Sequence, residues 1–107
     1  MFSPHKGKNA GGKDYELGKE YHWQQKYAEA EQLFRQSVQE REEVLGTKHK
    51  DTLESKYLLA VTLSNQQKNA EAERLFRELA QEREEVLGAE HEDTLLSKFW
   101  IAVTLSD

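Results

Sequence analysis

Two segments of the chain hold residue types that bind metals or move protons. His49-Lys50-Asp51 and His91-Glu92-Asp93 each set an imidazole two residues from a carboxylate. Both are ordinary zinc ligands, but a zinc site needs three or four of them at bond lengths of about 2 Å. If the segments are corresponding loops of packed helices, they lie about 8–10 Å apart and could not share an ion without rearrangement. The structural expectation is that each Asp caps the helix that follows and each His packs in its loop. The chain has no cysteine, which removes thiol nucleophiles and disulfides. It has no glycine-rich phosphate loop, no His-Glu-x-x-His and no nucleophile motif. No metal, no cofactor and no enzymatic activity are expected.

What positions these segments is a repeat. AEAEQLFRQSVQEREEVLGTKHKDTL begins at Ala28, and AEAERLFRELAQEREEVLGAEHEDTL begins at Ala70, an offset of 42 residues. The match runs from Lys26/Lys68 to Ser64/Ser106, with about two-thirds of positions identical. A period in this range marks a stacked repeat array. Such arrays build extended surfaces that hold other chains.

Composition agrees with a helical domain. Charged residues make up 33% of the 107 and apolar residues 36%, and the apolar ones are periodic. A net charge of −5 disfavours a phosphate backbone as partner, so no nucleic acid is expected. No apolar run is long enough for a bilayer, so no membrane is expected either. The N-terminus lacks the apolar core of a secretory signal. The absence of cysteine fits a reducing, cytoplasmic setting.

Residues 1–13 (MFSPHKGKNAGGK) are polar and aperiodic and read as a mobile tail. Beyond them everything scans as helix. Leu33, Phe34, Val38, Val44 and Leu45 keep near-helical spacing, as do Leu75, Phe76, Leu79, Val86 and Leu87. Gly46 and Gly88 suit left-handed C-terminal stops. Asp51 and Asp93 suit N-caps, Asp51 with Glu54 as a capping box, and Asn69 suits the cap of a helix from Ala70. Five helices follow, at about 14–25, 27–45, 51–66, 69–87 and 93–106. Their short connections make neighbours antiparallel. The domain over 14–107 then holds one repeat at 14–45, a second at 51–87, and a half repeat or capping helix at 93–107. The first, third and fifth helices are A-type and the other two B-type.

These residues resemble the tetratricopeptide repeat in a 42-residue form. Leu59-Ala60 and Leu63 match its A-helix positions, and Ala72 and Phe76 its B-helix ones. Their counterparts are Leu17-Gly18, Tyr21, Ala30 and Phe34 on one side, and Ile101-Ala102 and Leu105 on the other. The string QQKNAEAERLFRELAQEREEVLGAEHEDTL is similar to the repeats of kinesin light chains and of the arrays attached to some nucleotide-binding immune-type receptors. That motif runs Gln-Gly-Lys-Tyr, Glu-Ala-Glu, Leu-Gly, His-Pro-Asp-Thr-Leu. This chain departs from it at Lys50 and Glu92, where the family has proline, and at Gln25 and Gln67, where it has glycine. The resemblance implies an all-α fold, an α-α solenoid of about two and a half hairpins in a right-handed stack. It implies a non-enzymatic module that binds a protein or peptide in a concave groove lined by the A helices. The groove positions map to Tyr15, Lys19, His22 and Trp23, then to Glu54, Tyr57, Val61, Ser64 and Asn65. On the last helix they map to Leu96, Phe99, Val103 and Ser106.

Tyr15, Tyr57 and Phe99 recur one repeat apart, either as an aromatic stripe for a partner or as packing between repeats. Glu40-Arg41-Glu42-Glu43 and Glu82-Arg83-Glu84-Glu85 read as a solvated outer face of the B helices, with Glu31/Arg35 and Glu73/Arg77 as i,i+4 pairs. The last helix, TLLSKFWIAVTLSD, is the most apolar. Relative to its counterpart, Leu58 becomes Trp100 and Glu54 becomes Leu96. Leu96, Trp100 and Val103 are therefore candidates for self-association, with a homodimer through this helix as the alternative function.

Overall fold

The computed structural model describes residues 10–106. Most of the tail expected at 1–13, and Asp107, lie outside the described residues. Five helices run in order: α1 (Gly12–Trp23), α2 (Tyr27–Leu45), α3 (Lys50–Asn65), α4 (Asn69–Leu87) and α5 (Glu92–Ser106). Each packs on the next along the chain, giving an all-α repeat stack of 46 × 32 × 19 Å. The first helix begins two residues before the expected Asp14. Ala10 and Gly11 are already buried ahead of it.

The core is built twice from one device. Ala30 and Phe34 on α2, and Ala72 and Phe76 on α4, are fully buried. The i,i+4 spacing stacks each pair on one helix face. Opposite Phe34 stands Gly18, where a Cβ would lie 2.7 Å from the ring. Opposite Phe76 the corresponding small residue is Ala60, also fully buried. Small against large is how two helices approach closely without voids.

The A-to-B turns carry a helix-ending motif with an unusual residue. Lys26 N–H bonds Tyr21 O at 2.9 Å and Gln25 N–H bonds His22 O at 2.9 Å; Lys68 to Leu63 and Gln67 to Ser64 repeat this. That is the Schellman pattern, which normally places glycine in the left-handed position. Here Gln25 and Gln67 hold it, at φ +62° and +63°.

The B-to-A turns differ from expectation in two respects. Gly46 and Gly88 do stop their helices at positive φ, but with ψ of 157° and 156°. That region is extended and essentially reserved for glycine, rather than the left-handed helical basin. Each carbonyl then accepts a threonine hydroxyl, Thr52 on Gly46 at 2.8 Å and Thr94 on Gly88 at 2.9 Å.

The caps also fall on other residues. His49 occupies the cap of α3, its Nδ1 accepting from Asp51 N–H at 3.0 Å. His91 Nδ1 accepts from Asp93 N–H at the same distance. Asp51 and Asp93 sit inside the first turn, where a carboxylate favours the helix dipole. Glu54 joins no capping box and instead accepts a bond from Tyr15. Asn69 begins α4 without capping it, and its Oδ1 is buried without a hydrogen-bond partner.

Candidate interaction surface

A buried arginine holds each repeat to the next. Arg41 donates through Nη1 to Asp51 O and Ser55 Oγ, both at 2.8 Å, and through Nε to Ala10 O at 2.9 Å. Ser37 Oγ donates to Gly11 O and sits 2.7 Å from Ser55 Oγ. One repeat later Arg83 donates to Asp93 O at 3.1 Å and Ser97 Oγ at 2.9 Å. Each guanidinium also lies over a tyrosine ring, Arg41 over Tyr15 at 4.6 Å and Arg83 over Tyr57 at 5.0 Å. Sequence reasoning put both arginines on the solvated face with their neighbouring glutamates. They are buried. A planar fork of donors can satisfy backbone carbonyls and a hydroxyl at once, which makes this burial tolerable. The available signal was the recurrence of serine at 55 and 97 in step with arginine at 41 and 83.

Glu31 is a second charged residue that folds inward. It accepts from Arg35 at 2.9 Å, Gln66 at 2.8 Å and Lys68 at 2.9 Å. Arg35 also reaches Glu71 of the next B helix. Burial alone would raise the Glu31 carboxyl, but Lys68, Gln66 and Arg35 together hold it down at about 2. The expected i,i+4 pair exists, and it belongs to a network that joins two repeats.

The A helices bridge one another directly. Tyr15 Oη donates to Glu54 at 3.0 Å, linking α1 to α3. Thr62 gives its hydroxyl proton to Leu58 O, so His22 Nδ1 donates to Thr62 Oγ1, at 3.2 Å. Burial lowers the His22 pKa. Trp100 Nε1 donates to Tyr57 Oη at 2.8 Å, linking α3 to α5. The two links use different residues for one task. Where repeat one has Glu54 as the tyrosine's partner, repeat two has Leu96 at that position, and Trp100 supplies the bond instead. Burial raises the pKa of both tyrosines, with Glu54 adding to the effect on Tyr15.

The sequence-derived groove residues therefore divide. Tyr15 and Val61 are buried and offer a partner little. Tyr57 is half-buried, edge-on to Phe76 at 6.2 Å. Tyr15 and Tyr57 thus each pack on the phenylalanine of their own hairpin, whereas Phe99 is 62% exposed. Lys19, His22 and Ser64 are half-buried, Lys19 with its Nζ 4.7 Å from the Tyr15 ring centroid. Glu54 and Asn65 are exposed, and Trp23 is 80% exposed. Trp23 and Lys19 join Lys13, Glu16, Leu17, Glu20 and Gln24 around an open cleft of ≈ 730 Å³ on α1.

The self-association residues divide too. Leu96 is exposed and Val103 half-buried. Trp100, expected at the centre of an outer patch, turns inward and stacks on Phe76 at 5.3 Å, 11° between planes. A flat indole against a buried ring, with a hydroxyl for its N–H, is a better place than water for this side chain. The apolar exposure of α5 lies at Leu95, Leu96, Phe99 and Leu105. Phe99 has the position of Tyr57 and lacks what Tyr57 packs against. Among the described residues there is no cluster of three side chains fit to hold a metal ion. No described helix is long and apolar enough to cross a membrane.

These features define a helical repeat domain, and the comparison with known families gives the class. The tetratricopeptide repeat profile matches residues 13–80, and the chain belongs to that family. Tetratricopeptide repeats are in general protein–protein interaction modules and typically not catalysts. No curated protein matches the chain.

Proposed function

We infer that the chain is a protein-binding scaffold of the long-period kind, similar to the repeats of kinesin light chains and nucleotide-binding immune-type receptors. The face that holds the partner is the outward side of the A helices. One observation carries this reading. The bridges from Tyr15 to Glu54 and from His22 to Thr62 draw α1 and α3 together, and Trp23 stands on that side almost wholly in water. An exposed tryptophan is the side chain most able to anchor a partner. Lys19 lines the same cleft as Trp23, and the exposed Glu54 and Asn65 of α3 add polar groups that can fix orientation. A segment of peptide or helix fits a surface of this kind. The acidic charge and lack of cysteine support a cytoplasmic setting without nucleic acid.

The test is a display selection of peptides on the folded chain, followed by titration. Trp23→Ala and Asn65→Arg should each weaken the selected peptides at least about ten-fold, as loss of an interface anchor does, with unchanged thermal melting. Unchanged affinity in both variants would refute the assignment.

The exposed Leu96 favours a second reading, a domain that pairs through α5. Sedimentation decides it: a concentration-dependent dimer abolished by Leu96→Glu supports pairing, and a monomer at high micromolar concentration excludes it.

A further inference from the structure

We propose that the cleft between the first turn of α3 and the α4–α5 turn binds an extended segment of a partner protein through one arginine or lysine side chain. The site uses other elements than Trp23 and does not depend on it; only Glu54 belongs to both.

The cleft encloses ≈ 370 Å³. That is the low end of the roughly 300–1,000 Å³ of ligand sites, enough for one long side chain with its backbone and too small for a helix about 10–12 Å across. Leu53, Val86 and Leu87 give it an aliphatic wall, and Asp51, Glu54 and Asp93 line it with carboxylates. The opening is not made by the end of the stack. Val44 and His49, the counterparts of Val86 and His91 one repeat earlier, are exposed as well.

Carboxylates on a charged surface mark no site by themselves; Arg83 marks this one. Its side chain lines the cleft, yet the residue is only 4% exposed. Nη1 is engaged by Asp93 O and Ser97 Oγ. Nε has no acceptor among the described residues. In Arg41 the same nitrogen donates to Ala10 O, a backbone carbonyl just ahead of α1. The counterpart of Ala10 is Thr52, which lies inside α3, where a carbonyl serves the helix's own bonds. The second repeat therefore keeps the donor and lacks the carbonyl. A buried donor left unmet is unfavourable, and a backbone carbonyl laid in the cleft would meet it.

Charge selects what that segment carries. Lys50 and Arg83 bring two positive charges to the lining, and Asp51, Glu54 and Asp93 bring three negative ones. Among the described residues Asp51 and Glu54 have no ion pair, and Asp93 has only the His91 ring, at 4.0 Å. Glu54 accepts the Tyr15 hydroxyl at 3.0 Å, and a carboxylate keeps further acceptor sites beyond one such bond. An added cation balances the lining, whereas an added carboxylate makes it more negative. A guanidinium or ammonium group therefore enters, with its aliphatic stem along Leu53, Val86 and Leu87.

The probe is the blocked pentapeptide Ala-Ala-Arg-Ala-Ala, titrated into the full chain at low salt, with Ala-Ala-Glu-Ala-Ala as control. Nitrogen-15 NMR follows the Arg83 Nε–H signal and the backbone signals of Val86 and His91. A saturable shift is expected with the arginine peptide alone, and added salt should weaken it. Glu54→Gln combined with Asp93→Asn should weaken it about three-fold or more, as loss of exposed ion pairs does, with thermal melting showing that the double variant is folded. Absence of a saturable shift up to about 10 mM peptide, past the millimolar edge of specific association, overturns the proposal. An equal shift with the glutamate peptide overturns it in favour of an anion site, and a shift that survives the double variant removes the carboxylates from it. The same shift produced by concentrating the chain without peptide places a second copy in the cleft and overturns it too.

Discussion

Gln25 and Gln67 occupy left-handed positions that glycine fills in the related motif. A side chain there costs about 1–2 kcal/mol, while glycine gives back about 0.4–1 kcal/mol through the freedom of the unfolded chain. Gln67→Gly should therefore stabilise by roughly 0.5–1 kcal/mol and raise the thermal midpoint by a few degrees. A lower midpoint would mean that the glutamine makes a contact worth more than the strain. Glu31 gives a pH-dependent effect. Its pKa in the folded chain, about 2, lies below the ordinary value of 4.5. Its stabilisation is complete above 4.5 and is lost as the pH falls toward 2. Denaturation of wild type and Glu31→Gln should show a gap at neutral pH that narrows over that acid range. A gap constant across it would show that the carboxylate's charge is not what holds Lys68 and Arg35.

At the scale of helices, Phe76 is the shared residue of the second half. It is fully buried, meets Tyr57 edge-on and has Trp100 stacked on it, so it joins α3, α4 and α5. Phe76→Ala should cost about 3–5 kcal/mol, against the 5–10 kcal/mol typical of so short a chain. Circular dichroism should find it partly unfolded at ambient temperature, and an unchanged midpoint would contradict the stacking. The five helices and Phe76's burial were legible because the apolar spacing recurs at a fixed offset. The caps were not. A histidine Nδ1 does the work of an aspartate oxygen when the helix starts a residue earlier, and spacing does not reveal which wins. Arg41 and Arg83 were illegible for a similar reason. A charged residue between glutamates reads as solvated, and only the carbonyls and serines it meets across the interface make burial tolerable. The inward turn of Trp100 depends on a tyrosine hydroxyl 43 positions away, a partner that only the stacked geometry supplies.

The whole molecule is a short stack with two unlike ends. The outer side of α1 carries Lys13, Glu16 and Glu20, and α5 exposes Leu95, Leu96, Phe99 and Leu105. Between them the A helices are tied by single bonds from tyrosine, histidine and tryptophan side chains, with the B helices outside carrying most of the carboxylates. This division follows from the repeat itself: interior positions are satisfied by neighbours on both sides. The chain's two tryptophans separate surface from core cleanly. Trp23 stands in water, whereas Trp100 is half-buried and bonded to Tyr57. The most direct measurement is the pair of indole N–H signals in a nitrogen-15 NMR titration with a display-selected peptide. Binding along the A helices predicts that the Trp23 signal shifts in proportion to saturation while the Trp100 signal stays in place. A saturating complex that leaves the Trp23 signal unmoved would contradict it.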